Sequence, residues 1–427
     1  MTAVAEVQAA DAVATKSEER RAIGVASGAH ALHDGYTDLI YVMLPLWQAE
    51  FGIGYAALGL LRTCYSGTMA SLQIPSALLS ERIGVPIVLA LGTALSGIGY
   101  LVAGASVGFW TLVIALLIGG VGSSTQHPLA SALVARAFAG TRSMKALGTY
   151  NFAGDIGKMS VPAAASLMLV IMPWQPVLAI LGVAGIVVAV AIYALIPRFG
   201  AEVFAAPAKA ADDKIAAAPA SRRPSRLGFP LLLSIGMIDS ATRMGFLIFL
   251  PFILRDKGAS LPVIGLALTL VFAGGAAGKL ICAFIGARIG VIATVCLTEG
   301  LTVLGILALM PLPLEAAALA PLGIFSLFPL PLEASLVILP VIGVALNGTS
   351  SVLYGTVPEL VEPAKRARMF SIFYTGTIGA GAVAPALYGF VGDAWGVPVA
   401  LGAVAAMCLL TLPLAIVLRP ALPLHAR

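Results

Sequence analysis

The chain of 427 residues is 59% hydrophobic and 11% charged, and its mean hydropathy is +1.00. An average soluble domain carries roughly 25% charged residues, so this composition excludes an ordinary soluble fold. The net charge of +5 comes from basic residues that form no patch, which argues against nucleic acid as a partner. The four cysteines lack the paired spacing of a disulfide framework or a zinc site.

Apolar runs follow one another along the whole chain. A helix needs about 20 mostly apolar residues to cross a bilayer. The predicted spans cover residues 22–47, 55–80, 86–106, 109–135, 146–172, 176–197, 229–254, 260–287, 291–311, 335–358, 369–390 and 397–418. The pattern therefore predicts an all-α membrane protein with twelve transmembrane helices in two six-helix bundles, at residues 22–197 and 229–418.

Four segments lie outside these bundles. Residues 1–21 carry several charges without the order of a signal peptide, which predicts a disordered cytoplasmic tail. Residues 198–228 are rich in Ala and Pro and predict a flexible cytoplasmic linker. Residues 312–334 repeat Leu-Pro-Leu-Glu-Ala and predict an interfacial excursion on the outer side, and residues 419–427 form a short cytoplasmic tail.

Basic residues accumulate in the loops on one side of the predicted spans. Lys and Arg favour the cytoplasmic side of a membrane. Only Arg255 and Lys257 fall in a loop on the other side. The distribution predicts a multi-pass protein of a bacterial-type inner membrane with both termini in the cytoplasm. We expect it to be a monomer surrounded by lipid.

The two halves repeat in sequence. A shift of 206 residues places 77–101 over 283–307, with nine of twenty-five positions identical. A shift of 222 residues then places Gly154 and Gly157 over Gly376 and Gly379. Such internal duplication is typical of secondary transporters.

The turn Ser80-Glu81-Arg82-Ile83-Gly84, after the second predicted span, resembles the loop signature of the major facilitator superfamily. Val85 replaces a basic residue of that signature, and the second copy keeps only Arg288 and Gly290. The resemblance implies the major facilitator fold. It also implies a gating role for Glu81, Arg82 and Arg288, whose charges would latch helix ends, although the degraded motif weakens that latch.

Shorter motifs resemble the fosmidomycin-resistance branch of exporters within that superfamily. They are His33-Asp34 in the first span, residues 122–128 in the fourth, and residues 249–254 followed by Lys257-Gly258 after the seventh. The branch implies proton-driven export of a drug-like or anionic compound. Asp155 and Lys158 depart from the Gly/Pro-rich fifth helix of such exporters, so the cargo can differ.

Ionisable residues within the predicted spans indicate a proton pathway. A charge at the bilayer centre costs about 2.5 kcal/mol or more, so it requires a partner or a wet cavity. Asp34 and Asp38 are four residues apart on one helical face, and their mutual repulsion favours holding a proton; neutralisation by Arg62 is the structural alternative. Asp155 is a further proton-coupling candidate, which can instead form a structural pair with Lys158.

Other polar residues within the spans predict the cargo site, since the family places helices 1, 4, 7 and 10 around a central cavity. Asp239 and Arg243 are four residues apart and form either a cargo site or a plain intrahelical ion pair. Under the 206-residue shift His33 lies over Asp239. The predicted cargo contacts are His33, Gln126, His127, Lys158, Asp239, Arg243, Asn347 and Tyr374.

A metal site on His30, His33, Asp34 and His127 lacks a cysteine or further carboxylates to complete its shell, so we predict neither metal nor cofactor. No nucleophile-base pair or nucleotide loop indicates an enzyme. The leading hypothesis is a proton-coupled exporter of a small anionic, zwitterionic or drug-like molecule. The alternatives are a proton-independent organic-anion antiporter or importer, and a non-transporting membrane receptor or assembly partner.

Overall fold

The computed structural model describes residues 15–138, 141–196, 227–310, 330–362 and 365–422. Within these ranges the chain forms helices and turns and contains no strand, which confirms the predicted all-α class. The helices are α1 (Lys16–Phe51), α2 (Tyr55–Ser71), α3 (Gln73–Ile83), α4 (Val85–Gly104), α5 (Phe109–Ser123), α6 (Gln126–Ala137), α7 (Thr141–Met168), α8 (Trp174–Leu195), α9 (Gly228–Asp256), α10 (Leu261–Ile289), α11 (Val291–Leu309), α12 (Leu332–Leu360), α13 (Arg366–Trp395), α14 (Val397–Leu409) and α15 (Thr411–Leu418).

Three predicted spans are each built from two short helices in sequence, α2 with α3, α5 with α6, and α14 with α15. In each case the second helix carries a proline at its third residue: Pro75, Pro128 or Pro413. Proline lacks the N–H for the hydrogen bond to the carbonyl four residues earlier, and its ring collides with that carbonyl. The helical hydrogen-bond ladder is therefore interrupted just before each of these prolines.

Nine helical stretches of the described residues are long and apolar enough to cross a membrane. They are Val85–Gly104, Phe109–Ala137, Trp174–Leu195, Gly228–Asp256, Leu261–Ile289, Val291–Leu309, Leu332–Leu360, Arg368–Trp395 and Val397–Ala421. The long helices α1 and α7 are not among them; they carry the charged residues Asp34, Asp38, Asp155 and Lys158. A count of exactly twelve spans stays a prediction.

The described residues divide into two compact units. The first unit takes its residues from Met1–Asp38, Cys64–Val161 and Met172–Ala218, and the second from Leu39–Thr63, Pro162–Ile171 and Pro219–Arg427. In the first unit α4 packs against α8, and a Cβ atom on Gly97 would lie 2.6 Å from the Gly182 carbonyl oxygen. Small residues allow such close helix contacts in membranes.

The second unit uses the same kind of contact between α10 and α12. A Cβ atom on Gly278 would lie 2.5 Å from the carbonyl oxygen of Val344. Large apolar side chains remain exposed on the helices of both units, among them Trp110, Phe284 and Val337, each more than 70% exposed. Exposed apolar surface of this kind is suited to contact with lipid.

The internal repeat extends to backbone conformation. Gly84 connects α3 to α4 at φ +92°, and Gly290 connects α10 to α11 at φ +86°. These two glycines are 206 residues apart, the same offset as the sequence repeat. A positive φ is strained for residues with a Cβ atom, which explains why glycine stands in both turns.

The predicted disordered tail at residues 1–21 is wrong in its last part, because α1 already begins at Lys16. The Thr15 hydroxyl accepts from the Glu18 backbone N–H at 3.3 Å, and the Glu18 carboxylate accepts from the Thr15 backbone N–H at 2.8 Å. This reciprocal capping box starts a helix. Residues 1–14 lie outside the described residues, as do 197–226 of the predicted linker, 311–329 of the predicted excursion and 423–427 of the predicted tail.

Candidate functional site

The first unit contains a buried carboxylate that is surrounded by basic side chains. The three imidazole Nε2 atoms lie 3.4, 3.8 and 3.9 Å from one oxygen of Asp34, and an ammonium Nζ lies 3.3 Å from the other. We call this group the Asp34 cluster; it comprises His30, His33, Asp34, His127 and Lys158. The structure thus brings together four of the predicted site residues, and His30 joins them.

Three helices position the Asp34 cluster. His30, His33 and Asp34 share one face of α1 because residues three and four apart are neighbours on a helix. His127 stands on the first turn of α6, directly after the break that follows α5. Lys158 comes from α7, which approaches α1 closely at Gly154; a Cβ atom there would lie 2.6 Å from an Asp34 carboxylate oxygen.

The contacts of His30 determine which of its ring nitrogens carries a proton. Its Nδ1 atom lies 2.9 Å from the carbonyl oxygen of Tyr150, and its ring stacks on the Tyr150 ring at 4.0 Å. A carbonyl oxygen only accepts hydrogen bonds, so Nδ1 carries a proton. The contact of His30 Nε2 with Asp34 is then attractive only when a further proton sits on that nitrogen or on the carboxyl group.

The ligand atoms of His30, Asp34 and His127 lie within 4.8 Å of one another, close enough for one metal ion. The Lys158 ammonium, however, contacts the same carboxylate and would repel a divalent cation. This charge balance favours a proton over a metal ion at Asp34.

The two remaining proton-coupling candidates are also buried. Asp38 and Asp155 are 6% and 8% exposed, and both interact electrostatically with Lys158. The Lys158 ammonium group therefore interacts with three carboxyl groups, those of Asp34, Asp38 and Asp155. The nearby Gln126 is buried, and its side-chain nitrogen has no hydrogen-bond partner among the described residues. Gln126 and His33 line a cavity of about 10 Å³, enough for roughly one water molecule.

The predicted cargo residues of the second unit do not all lie together. Arg243 donates from Nη1 to the Asn347 side-chain oxygen at 3.4 Å, and its Nε is buried without a hydrogen-bond partner among the described residues. Asn347 also donates to the Gly343 carbonyl oxygen at 3.2 Å. Tyr374 is half-exposed and contacts the Tyr354 ring edge-on at 4.9 Å. Arg243 and Asn347 thus lie together, whereas Tyr374 packs against another aromatic side chain.

Asp239 has a partner that was not among the predicted site residues. Its carboxyl group lies within hydrogen-bonding reach of that of Glu299 on α11. Within the described residues no ion pair of 4 Å or less joins Asp239 to Arg243, although these residues are one helical turn apart. One feature of the sequence could have identified Glu299 as a site residue: an acid in the middle of an apolar helix is costly.

The three gating candidates lie at helix ends. Glu81 and Arg82 are exposed on the last turn of α3, and Arg288 is exposed on the last turn of α10. Among the ion pairs of the described residues, none includes these side chains. Their gating role stays a prediction.

Comparisons with known proteins agree with this architecture. Residues 26–233 and 231–426 each match the family model described as Major Facilitator Superfamily. The fosmidomycin resistance protein of Escherichia coli (strain K12) is 25% identical over 163 residues, which cover 38% of this chain and 40% of that relative. The match therefore spans less than half the length of the curated relative.

Solved structures show the same fold. Crystal structures of a bacterial homologue of the human lysosomal transporter Spinster, in inward-facing occupied and unoccupied conformations, each align with a TM-score of 0.73. The alignments cover 97% of this chain and 99% of the solved one at 15% identity. At this identity the likeness concerns the fold alone.

Proposed function

The chain belongs to the major facilitator superfamily and is a multi-pass membrane transporter for a small molecule; we propose that it exports a zwitterionic, anionic or drug-like compound in exchange for protons. The membrane is a bacterial-type inner membrane. Twelve helices in two six-helix bundles, with both termini in the cytoplasm, carry out alternating access. The likeness to a fosmidomycin resistance protein supports the outward direction.

The Asp34 cluster is the observation that carries this proposal. A carboxylate that is 5% exposed and contacts four basic groups can exist without a proton, because those groups balance its charge. It can also accept a proton from the adjacent imidazoles, since histidine exchanges protons near neutral pH in water. Asp38 and Asp155 supply further negative charge around the same Lys158.

A zwitterionic cargo fits the Asp34–Lys158 ion pair. Its cationic group would replace Lys158 at Asp34, and its anionic group would bind the released Lys158. Each buried charge would keep a partner, which avoids the cost of an unpaired ion. A proton on Asp34 excludes the cationic group of the cargo, so cargo and proton bind in alternation, as exchange requires.

The remaining predicted contacts assist this exchange. His33, Gln126 and His127 orient the cargo beside Asp34, while Arg243, Asp239, Asn347 and Tyr374 provide the contacts of the second unit. Glu81, Arg82 and Arg288 control the alternation at the helix ends.

Replacing Asp34 with Asn tests the proposal. Inverted membrane vesicles with an acidic lumen are loaded with a pH-sensitive dye, and fosmidomycin or zwitterionic compounds are added outside. The wild-type protein should alkalinise the lumen as compound enters. Asp34→Asn should abolish this response while the protein stays folded, because Asn is nearly isosteric and Lys158 keeps its interactions with Asp38 and Asp155. The matched control is Glu362→Gln, which changes an exposed carboxylate paired with Lys365. Unaltered proton movement in Asp34→Asn would exclude Asp34 as the carrier.

A second candidate is a proton-independent organic-anion antiporter or importer. It is favoured by Arg243 Nε, which has no hydrogen-bond partner in the described part of the chain, and by Lys158, whose side chain is 31% exposed. Both groups suit a carboxylate or phosphate. This candidate predicts that counterflow of an organic anion proceeds at the same rate with and without a pH gradient.

A further inference from the structure

The second unit contains a pair of buried acids that the proposed exchange at Asp34 does not use. Asp239 on α9 is 3% exposed and Glu299 on α11 is 2% exposed. Their carboxyl groups lie within hydrogen-bonding reach of each other. The Cys408 thiol on α14 also contacts Glu299, with its sulfur 2.8 Å from Oε2.

A hydrogen bond between the carboxyl groups of Asp239 and Glu299 requires a proton. An ionised carboxylate has only acceptor oxygens, so one of two bonded carboxyl groups must be protonated. Two ionised carboxylates in contact would also repel strongly in this buried setting. Within the described residues, the pair therefore carries at most one negative charge.

The charged and titratable groups around the pair are consistent with a single negative charge on Asp239 and Glu299. Arg243, on the same helix as Asp239, attracts its carboxyl group and supplies one positive charge. Among the described residues, the other titratable groups that interact with the pair are the thiols of Cys296 on α11 and Cys408 on α14, and the Tyr388 hydroxyl on α13 lies beside Cys408. One guanidinium balances one carboxylate, and the other acid retains its proton.

We propose that Asp239 and Glu299 share one proton and form a second proton-binding site, built from residues of the second unit. Its role in transport rests on the proposed function, whereas its occupancy by a proton does not. Under the 206-residue repeat Asp239 corresponds to His33, a member of the Asp34 cluster. Each half of the duplicated sequence thus contributes one proton site. Loss of the second site should lower by one the number of protons moved per cargo molecule.

Infrared difference spectroscopy tests proton occupancy without any cargo. The full-length protein is placed in lipid nanodiscs, and spectra are recorded while the pH is changed over the range in which the protein stays folded. A protonated carboxyl group has a carbonyl stretch that is distinct from the bands of a carboxylate. We expect wild type to show such a band in a buried environment, and Glu299→Gln to lack it.

Glu299→Gln is a mild change, because the Gln amide can donate to Asp239 in place of the shared proton. The control Glu362→Gln, at an exposed site, should leave the buried band unchanged. Asp34→Asn should also leave it unchanged, which separates this test from that of the proposed function. If Glu299→Gln does not fold, Asp239→Asn serves as the second variant and should remove the same band.

An unchanged buried band in both Glu299→Gln and Asp239→Asn would overturn the proposal. The variants can also lack the band while the band of wild type does not change with pH. That result would contradict the proposal as well, because a transported proton must be released. It is the result expected if the pair forms only a structural hydrogen bond.

Discussion

Lys158 is the residue on which the charge balance of the first unit depends. Its ammonium lies 3.3 Å from Asp34 and interacts with Asp38 and Asp155. Removing one partner of a buried ion pair costs about 3 to 5 kcal/mol, and the 31% exposure of the Lys158 side chain places the expected loss at or below the lower end. We expect Lys158→Met to lower the melting temperature of the purified protein clearly.

Two further variants control for this result. Lys365→Met removes an ammonium from an exposed pair with Glu362 and should change the melting temperature little, because exposed pairs contribute little. Adding Asp34→Asn to Lys158→Met removes one uncompensated charge and should recover part of the loss. Equal melting temperatures for Lys158→Met and Lys365→Met would contradict the assignment.

Sequence reasoning predicted individual site residues better than their partners. His33, Asp34, His127 and Lys158 were predicted, because charges and histidines in apolar helices are costly and therefore conspicuous. The partner of Lys158 was predicted to be Asp155, three residues away on the same helix. The contact with Asp34 depends on the approach of α7 to α1, which local spacing does not encode.

At the scale of helices, the contact between α1 and α7 depends on Gly154. An added Cβ atom would lie 2.6 Å from an Asp34 oxygen and 2.7 Å from His30 Cε1, so α7 would have to move away. We expect Gly154→Ala to lower the melting temperature and to reduce proton exchange in the vesicle assay, because the Asp34 cluster would open.

Gly148 provides a matched control on the same helix. A Cβ atom there meets nothing within 4 Å, and alanine is favoured over glycine within a helix by about 1 kcal/mol. Gly148→Ala should therefore leave the protein as stable or slightly more stable, with exchange unchanged. Equal changes of melting temperature in the two variants would show that the contact with α1 does not determine the effect at Gly154.

Helix boundaries show which part of the fold the sequence could predict. The runs of apolar residues predicted where the helices lie. Thr15 and Glu18 form the capping box of α1, but the many charges of residues 1–21 led to the prediction of a disordered tail there. The breaks before Pro75, Pro128 and Pro413 were not predicted. Prolines inside α1, α7 and α9 interrupt no helix, so a proline alone does not decide where a helix divides.

At the scale of the whole molecule, the repeat was readable because duplicated helices keep both apolar faces and turn glycines. The 206-residue offset links Gly84 and Gly290 in sequence and in backbone conformation. Side-chain chemistry diverged between the copies: His33 corresponds to Asp239, and Thr93 to Glu299. The acid pair could not be predicted from the repeat for that reason.

Membrane orientation is the last property that the sequence predicts for the whole chain. Basic loops on one side place the turn between α12 and α13 in the cytoplasm and the turn between α4 and α5 outside. Single cysteines at Glu362→Cys and Val107→Cys, in a background with the native cysteines replaced by serine, test this arrangement. Both positions are exposed. A membrane-impermeant maleimide should label Val107→Cys in intact spheroplasts and Glu362→Cys only after lysis. The reverse pattern would invert the proposed topology. Labelling of both positions in intact spheroplasts would require an even number of spans between them, instead of the seven that the sequence predicts.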